Sequence, residues 1–362
     1  MSSFLLSSGA RMPKVGFGTS RLAGARCEEI VLGAIRAGYR SVDTAKLYGN
    51  EAAVGRAVRR ATAAGVCKRS DLFLTSKLCN DDHRCVEAAC RRSLAALGVG
   101  YLDLYLVHWP IPWRKGTVFC ADWTRDQCDT WRDMQRLVEL GLVKSVGVSN
   151  FGAKLLARLI AECGAPYPAV NQLQLHPLSQ EQALVRFCAE HDIICTAWSP
   201  LAKHSKMLFA APALSAIAKA HGVSPTQVVL KWNVSRGVVV IPKSTNPAHY
   251  RDNLDLFRFE LSEEEMALVR AIDRGARGRQ PFDAVGCFED TAFMPWGLLG
   301  QMLKVFAWCV WQVIPSCLDL RNPQRSATEL LRPLHELSVM DGVRAALGLA
   351  LVAWGGSRLF SL

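Results

Sequence analysis

From about residue 15 the chain alternates short β-branched or aromatic runs with longer stretches of helical periodicity, and this alternation leaves few folds open. The strand-like runs are 15–18, 39–43, 72–76, 102–108, 143–148, 169–174, 193–197 and 238–241. Most are near-continuous apolar segments, as expected of strands covered on both faces. Helical patterns occupy 28–37, 51–64, 84–96, 130–140, 153–162, 180–190, 212–221 and 226–235. Gly38, Gly65, Gly98, Gly141, Gly164 and Gly222 fall at or just past helix ends, where a left-handed cap is needed. Eight strands alternating with eight helices over about 250 residues predict a closed parallel (β/α)8 TIM barrel. An open doubly wound sheet is the runner-up. It would normally carry GxGxxG after its first strand, but Gly16-Phe17-Gly18 is followed by Arg21 where the third glycine belongs.

In such a barrel the C-terminal strand ends form the active face. Strand 2 is followed by Asp43-Thr44-Ala45-Lys46-Leu47-Tyr48-Gly49-Asn50-Glu51, strand 3 by Thr75-Ser76-Lys77 and strand 4 by Val107-His108-Trp109-Pro110. Singly these residues are unremarkable in kind. A lone tyrosine after a strand is usually packing, a lone Asp–Lys pair a structural salt bridge, and a lone histidine beside Trp-Pro a turn residue. Four such types on three neighbouring strand ends point to a proton-donor site. A phenol of free pKa about 10 is a poor acid at neutral pH. A nearby ammonium, Lys77, would lower it, with Asp43 as the counter-charge that a desolvated lysine needs. His108 could orient a carbonyl oxygen that Tyr48 protonates as negative charge develops.

Composition narrows the partners. The 43 basic residues exceed the 32 acidic ones, for a net charge of +11. Residues 289–362 carry six of each, so the excess lies in residues 1–288. A basic body suits an anionic small ligand. No Lys/Arg run, zinc pattern or aromatic-basic motif supports a nucleic-acid partner. Thirteen scattered cysteines without a CxxC pair read as reduced thiols of a cytoplasmic protein. The N-terminus has no basic region and too short an apolar run for a signal peptide, and Ser2 rules out myristoylation.

At these strand ends the sequence resembles the aldo-keto reductase superfamily, from about residue 4 to residue 288. The resemblance rests on Asp43-Thr44-Ala45…Tyr48-Gly49-Asn50-Glu51, Thr75-Ser76-Lys77, Leu106-Val107-His108-Trp109-Pro110, Gly147-Val148-Ser149-Asn150-Phe151, Trp198-Ser199-Pro200-Leu201 and Ile241-Pro242-Lys243-Ser244, in that order. It implies an NADPH-dependent carbonyl reductase without a metal, whose catalytic tetrad is Asp43, Tyr48, Lys77 and His108, with Tyr48 as general acid. Its substrate would be a small-molecule aldehyde or ketone, and the protein a monomer or weak oligomer. The resemblance also implies that Ser149, Asn150 and Gln172 hold the nicotinamide carboxamide and that Trp198 stacks in place of the usual tyrosine. Ser199 and Leu201 would line the pyrophosphate side, Lys243 and Ser244 would meet the adenosine 2′-phosphate, and Asn253 the adenine. His249 stands where the family commonly has an arginine. It offers at most a partial charge and no bidentate fork, so NADPH preference is expected to be weaker, with NADH as the alternative. Ser20 and Cys79 replace aromatics common at the substrate mouth, while Trp109 remains. A wide mouth and broad specificity follow.

Residues 289–362 lie beyond the resemblance and are read as a helical C-terminal extension, separate from a barrel domain of 1–288. They hold Trp296, Trp308, Trp311 and Trp354. The segment 296–314 is apolar except for Gln301, Lys304 and Gln312, which a helix would gather within about 80°. At 19 residues it is barely long enough to span a bilayer. Lys304 costs roughly 2.5–3.5 kcal/mol at the centre, which eight Leu, Val, Ile and Phe residues barely offset. Spanning a membrane, lying in its interface and packing on protein all stay open. With the tail at a membrane surface, the chain would be cytoplasmic but peripheral. A second functional reading follows from that placement: a nicotinamide-binding redox-sensing or scaffolding subunit docked to a membrane partner.

Overall fold

The computed structural model describes residues 2–115 and 121–278. The C-terminal extension and its 296–314 segment lie outside the described residues, as does the expected domain boundary at 288. The chain opens with a small antiparallel hairpin, β1 (Ser3–Leu5) and β2 (Arg11–Pro13), which pairs Ser3 with Pro13 and Leu5 with Arg11. Eight parallel strands follow: β3 (Phe17–Gly18), β4 (Ser41–Asp43), β5 (Phe73–Leu78), β6 (Leu104–Val107), β7 (Val146–Ser149), β8 (Val170–Gln174), β9 (Ile194–Trp198) and β10 (Val239–Val240). Each pairs with the next in chain order from β3 to β10. The first and last also meet. Gly16 N–H donates to Val240 O at 2.8 Å, Val240 N–H to Lys14 O at 3.0 Å and Gly18 N–H to Pro242 O at 3.2 Å. The sheet is thus a closed (β/α)8 barrel, as the alternation predicts, and not an open doubly wound sheet. Gly18 is required at this seam, because a Cβ there would stand 2.8 Å from the Ile241 carbonyl oxygen.

The helices surround the sheet: α1 (Gly24–Arg36), α2 (Glu51–Ala63), α3 (Val86–Leu97), α4 (Gln127–Glu139), α5 (Ala153–Cys163), α6 (Gln182–Glu190), the single turn α7 (Lys206–Phe209), α8 (Pro212–His221), α9 (Pro225–Ser235), α10 (Pro247–Leu254) and α11 (Glu263–Arg270). Their ends carry the expected signals. Gly98 closes α3 at φ 66° and Gly222 closes α8 at φ 62°. Ser224 and Gln227 form a capping box on α9 with Pro225 at its first position. The helix count needs one correction. Both α8 and α9 lie between β9 and β10, and the helix that follows the last strand is α10. The segment of α10, PAHYRDNL, carries too few apolar residues to show a helical period in the sequence.

Two apolar layers hold the barrel. The outer layer packs helix faces on the sheet and includes the fully buried Trp131 and Trp232. The inner layer fills the N-terminal end of the lumen with Phe73, Leu104, Leu106, Val170 and Val239, plugged from below by Leu6 and Met12 of the hairpin segment. This packing closes the bottom of the cylinder and leaves polar side chains for its C-terminal mouth. Among the described residues no helix is long and apolar enough to cross a membrane.

Candidate active site

The polar groups of the mouth follow from strand register. Asp43, the last residue of β4, pairs with Thr75 of β5. Lys77, two residues on, therefore faces the same side as Thr75. Its ammonium donates to Asp43 Oδ1 at 2.6 Å, to the Thr44 carbonyl at 2.9 Å and contacts Tyr48 Oη at 3.2 Å. Those three contacts match its three protons. Tyr48 ends a short 3₁₀ turn, Lys46–Tyr48, closed by Gly49 at φ 65°. Asn50 braces that turn: Thr44 Oγ1 donates to its Oδ1 at 2.7 Å, and its amide donates to the carbonyls of Thr19 and Leu22. His108, one residue past β6, sets its ring 5.6 Å from the Tyr48 ring at 79°. Its Nδ1 is buried without a hydrogen-bond partner among the described residues.

The electrostatics correct one expectation. Lys77 alone, as weighed from the sequence, would lower the Tyr48 phenol. In the folded protein burial pushes that phenol up, the Lys77 ammonium pulls it down, and Asp43 adds to the rise. The net direction is upward, because desolvation outweighs the ammonium. Burial also works against the Lys77 charge, but Asp43 and Tyr48 more than compensate and hold Lys77 above its ordinary value. His108 is driven well below the imidazole range, first by burial and then by Lys77, so its ring is neutral at neutral pH.

A second polar wall faces this group. Ser149 ends β7 and pairs with Gln172 of β8. Ser149 Oγ donates to the Gln172 carbonyl at 2.8 Å, and the Asn150 N–H donates to the same oxygen at 3.0 Å. Asn150 sits in the left-handed region at φ 64°, a conformation that asparagine tolerates. Its amide nitrogen donates to the His108 carbonyl at 3.0 Å, and its Oδ1 accepts from Trp198 Nε1 at 3.0 Å. Gln172 Nε2 donates across the lumen to Asp43 Oδ2 at 2.8 Å. That last contact was not foreseen from the sequence. β4 and β8 are four strands apart, and only closure of the barrel brings them face to face.

The remaining expected residues are more dispersed. Trp109 is buried and stacks beside His108 at 6.5 Å. Cys79 is buried at the start of the turn after β5, where burial pushes its thiol up to about 11. Ser20 is exposed beyond β3. Ser199 adopts φ 47° after β9, and Leu201 is buried. Lys243 and Ser244 follow β10, with Ser244 Oγ 3.4 Å from His249 Nδ1, while Asn253 is buried in α10. Lys243 is held down by burial and by Arg21. Neither cation makes an ion pair among the described residues, so two like charges converge where an anion would be welcome. The structure therefore brings Asp43, Tyr48, Lys77, His108, Trp109, Ser149, Asn150, Gln172 and Trp198 into one mouth and sets Lys243, Ser244 and His249 in a second cluster. Ser20, Leu201 and Asn253 join neither network by a side-chain hydrogen bond among the described residues.

Comparison with known proteins follows the same span. The model of the aldo/keto reductase family matches residues 14–274. A curated relative from Mycolicibacterium vanbaalenii, described as an aldo-keto reductase, is 43% identical over 279 residues, covering 76% of this chain and 93% of its own. An NADP-dependent D-sorbitol-6-phosphate dehydrogenase from Malus domestica is 39% identical over 301 residues, covering 78% and 97%. The crystal structure of a Bombyx mori aldo-keto reductase in complex with NADP superposes with a TM-score of 0.70 at 33% identity, covering 77% of this chain and 95% of that one.

Proposed function

The chain belongs to the aldo/keto reductase family, and from that premise we propose that it reduces small-molecule aldehydes and ketones to alcohols with NADPH. Residues 1–288 would form the catalytic unit and 289–362 an appendage to it. The observation that carries the reading is the Lys77 ammonium seated between Asp43 Oδ1 and Tyr48 Oη at the open end of the barrel. The cofactor fits the residues present. Hydroxyl and amide groups of Ser149, Asn150 and Gln172 can pair with a carboxamide, and Lys243 and Arg21, which make no ion pair among the described residues, can meet phosphates. The relatives described as NADP-dependent or solved with NADP support that choice of nucleotide. Bound NADPH supplies the hydride. His108, neutral and buried, donates a hydrogen bond that orients the substrate oxygen. Tyr48 Oη gives its proton to that oxygen as negative charge grows on it. Lys77 stabilises the phenolate left behind, and Asp43 keeps the ammonium charged and aimed. The Trp198 indole offers a broad face beside this wall.

The test is oxidation of NADPH by the full chain, followed by loss of its reduced-nicotinamide absorbance, over a panel of aldehydes, ketones and quinones. Turnover of several carbonyls with NADPH, and slower turnover with NADH, is expected. NADPH bound but not oxidised by any member of the panel would contradict the proposal.

A further inference from the structure

We propose that Gln172 is a positioning residue that ties the carboxamide-holding wall of the mouth to the Asp43–Lys77–Tyr48 proton donor, so that its side-chain amide sets how strong an acid Tyr48 is. The inference rests on the reading of this site as a carbonyl reductase and assigns Gln172 a task beyond holding cofactor. Gln172 and Asp43 are 129 positions apart, on strands that face each other across the barrel, yet Nε2 donates to Oδ2 at 2.8 Å. A carboxylate only accepts, so the amide nitrogen is the atom that must face it. Both residues are nearly sealed, at 2% and 3% exposure. Asp43 therefore divides its two oxygens, one for Lys77 and one for Gln172. The Gln172 backbone oxygen meanwhile receives Ser149 Oγ and the Asn150 N–H. One residue thus contacts both walls.

The consequence is electrostatic. Asp43 raises the Tyr48 phenol and Lys77 lowers it. An N–H pointed at Oδ2 offsets part of the carboxylate charge and fixes the carboxylate plane against Lys77. Among the described residues, the titratable groups around this pair are Lys77 from β5, which touches Asp43, Tyr48 from the turn after β4, which touches Lys77, and His108 from the end of β6, whose ring lies beside Tyr48. The groups offered by β7, β8, β9 and the turn after β3 are the neutral Ser149, Asn150, Gln172, Trp198 and Thr19. Lys243, after β10, makes no hydrogen bond or ion pair with Asp43 among the described residues. Without the amide donor, Asp43 acts on Tyr48 with its full charge, and the phenol becomes a weaker acid.

Two substitutions in the full chain test this. Gln172→Met keeps the length of the side chain and removes the donor. Gln172→Glu keeps its shape and donates only when protonated. NADPH affinity is read from tryptophan fluorescence, and the single-turnover rate is read at saturating NADPH from acid to alkaline pH. Both variants are expected to bind NADPH more weakly. Beyond that, Gln172→Met should lose about tenfold in single-turnover rate, and its alkaline fall-off should move up by about one pH unit. Gln172→Glu should approach the wild-type rate at acid pH, where one proton lies between two carboxyls, and lose it as pH rises. Weaker NADPH binding with a wild-type single-turnover rate and pH profile in both variants overturns the proposal. The Glu variant decides the matter by itself if the Met variant does not fold, because its rate is compared with itself across pH. A Tyr48→Phe control separates the two layers: full turnover in that variant removes the carbonyl-reductase reading whatever Gln172 does.

Discussion

Lys77 Nζ is the atom on which the proposed chemistry turns, because it touches Asp43, Thr44 and Tyr48 together. The pH behaviour of the site follows from its neighbours. Tyr48 is pushed above its ordinary value, so the protonated, donating form persists below that raised pKa and is lost only as pH climbs through it. His108 is pushed well below 6.5, so its neutral form persists from alkaline pH down through that value. The rate of carbonyl reduction at saturating NADPH should therefore be flat from about pH 6 to about pH 9 and fall only beyond about 10. Lys77→Met should move the fall-off higher still and lower the rate by about 10²-fold. A wild-type rate that drops between pH 6 and 7, or a variant whose fall-off moves down, would contradict this ordering. At this scale the gathering of Asp43, Tyr48, Lys77 and His108 was legible in the sequence because each lies at or near the C-terminal end of a strand. The link from Gln172 to Asp43 was not, since no local pattern encodes which strands meet across a lumen.

At the scale of elements, all eight barrel strands were legible because most are short, near-continuous apolar runs that alternate with helical periods. The hairpin of β1 and β2 escaped notice. Its strands are three residues long and one begins with Arg11, so neither shows a pattern. Its task is still structural. Met12, 1% exposed, and Leu6, 2% exposed, plug the lumen against Phe73, Leu104 and Val170. Met12→Ala should leave a cavity under the barrel and cost about 2–5 kcal/mol of stability. Urea denaturation read by circular dichroism checks it, and unchanged stability would show that the hairpin does not seal the cylinder. The turn bearing Tyr48 has a different logic. Its conformation depends on Asn50 reaching the carbonyls of Thr19 and Leu22, contacts between loops that neither loop announces by itself.

For the molecule as a whole, the polar mouth of the barrel divides into two halves. β4, β5 and β6 present Asp43, Lys77 and His108, while β7, β8 and β9 present Ser149, Gln172 and Trp198. The proposed reaction needs both halves at once, a proton from one and a bound reduced nicotinamide on the other, so it is a property of the closed cylinder. The order of six motifs along the chain made that cylinder legible, whereas side-chain exposure and the balance between burial and charge at Tyr48 emerged only from the folded geometry. In the proposed reaction the basic excess of the first 288 residues would serve through Lys243 and Arg21, which lie close enough to lower the Lys243 pKa. The central claim is that Tyr48 delivers the proton. The most direct measurement is a single turnover of a reactive aldehyde by full-length Tyr48→Phe already saturated with NADPH, followed through loss of the reduced cofactor. The account predicts NADPH binding like that of the wild type and a rate lowered by at least about 10²-fold. NADPH oxidised at the wild-type rate would contradict it.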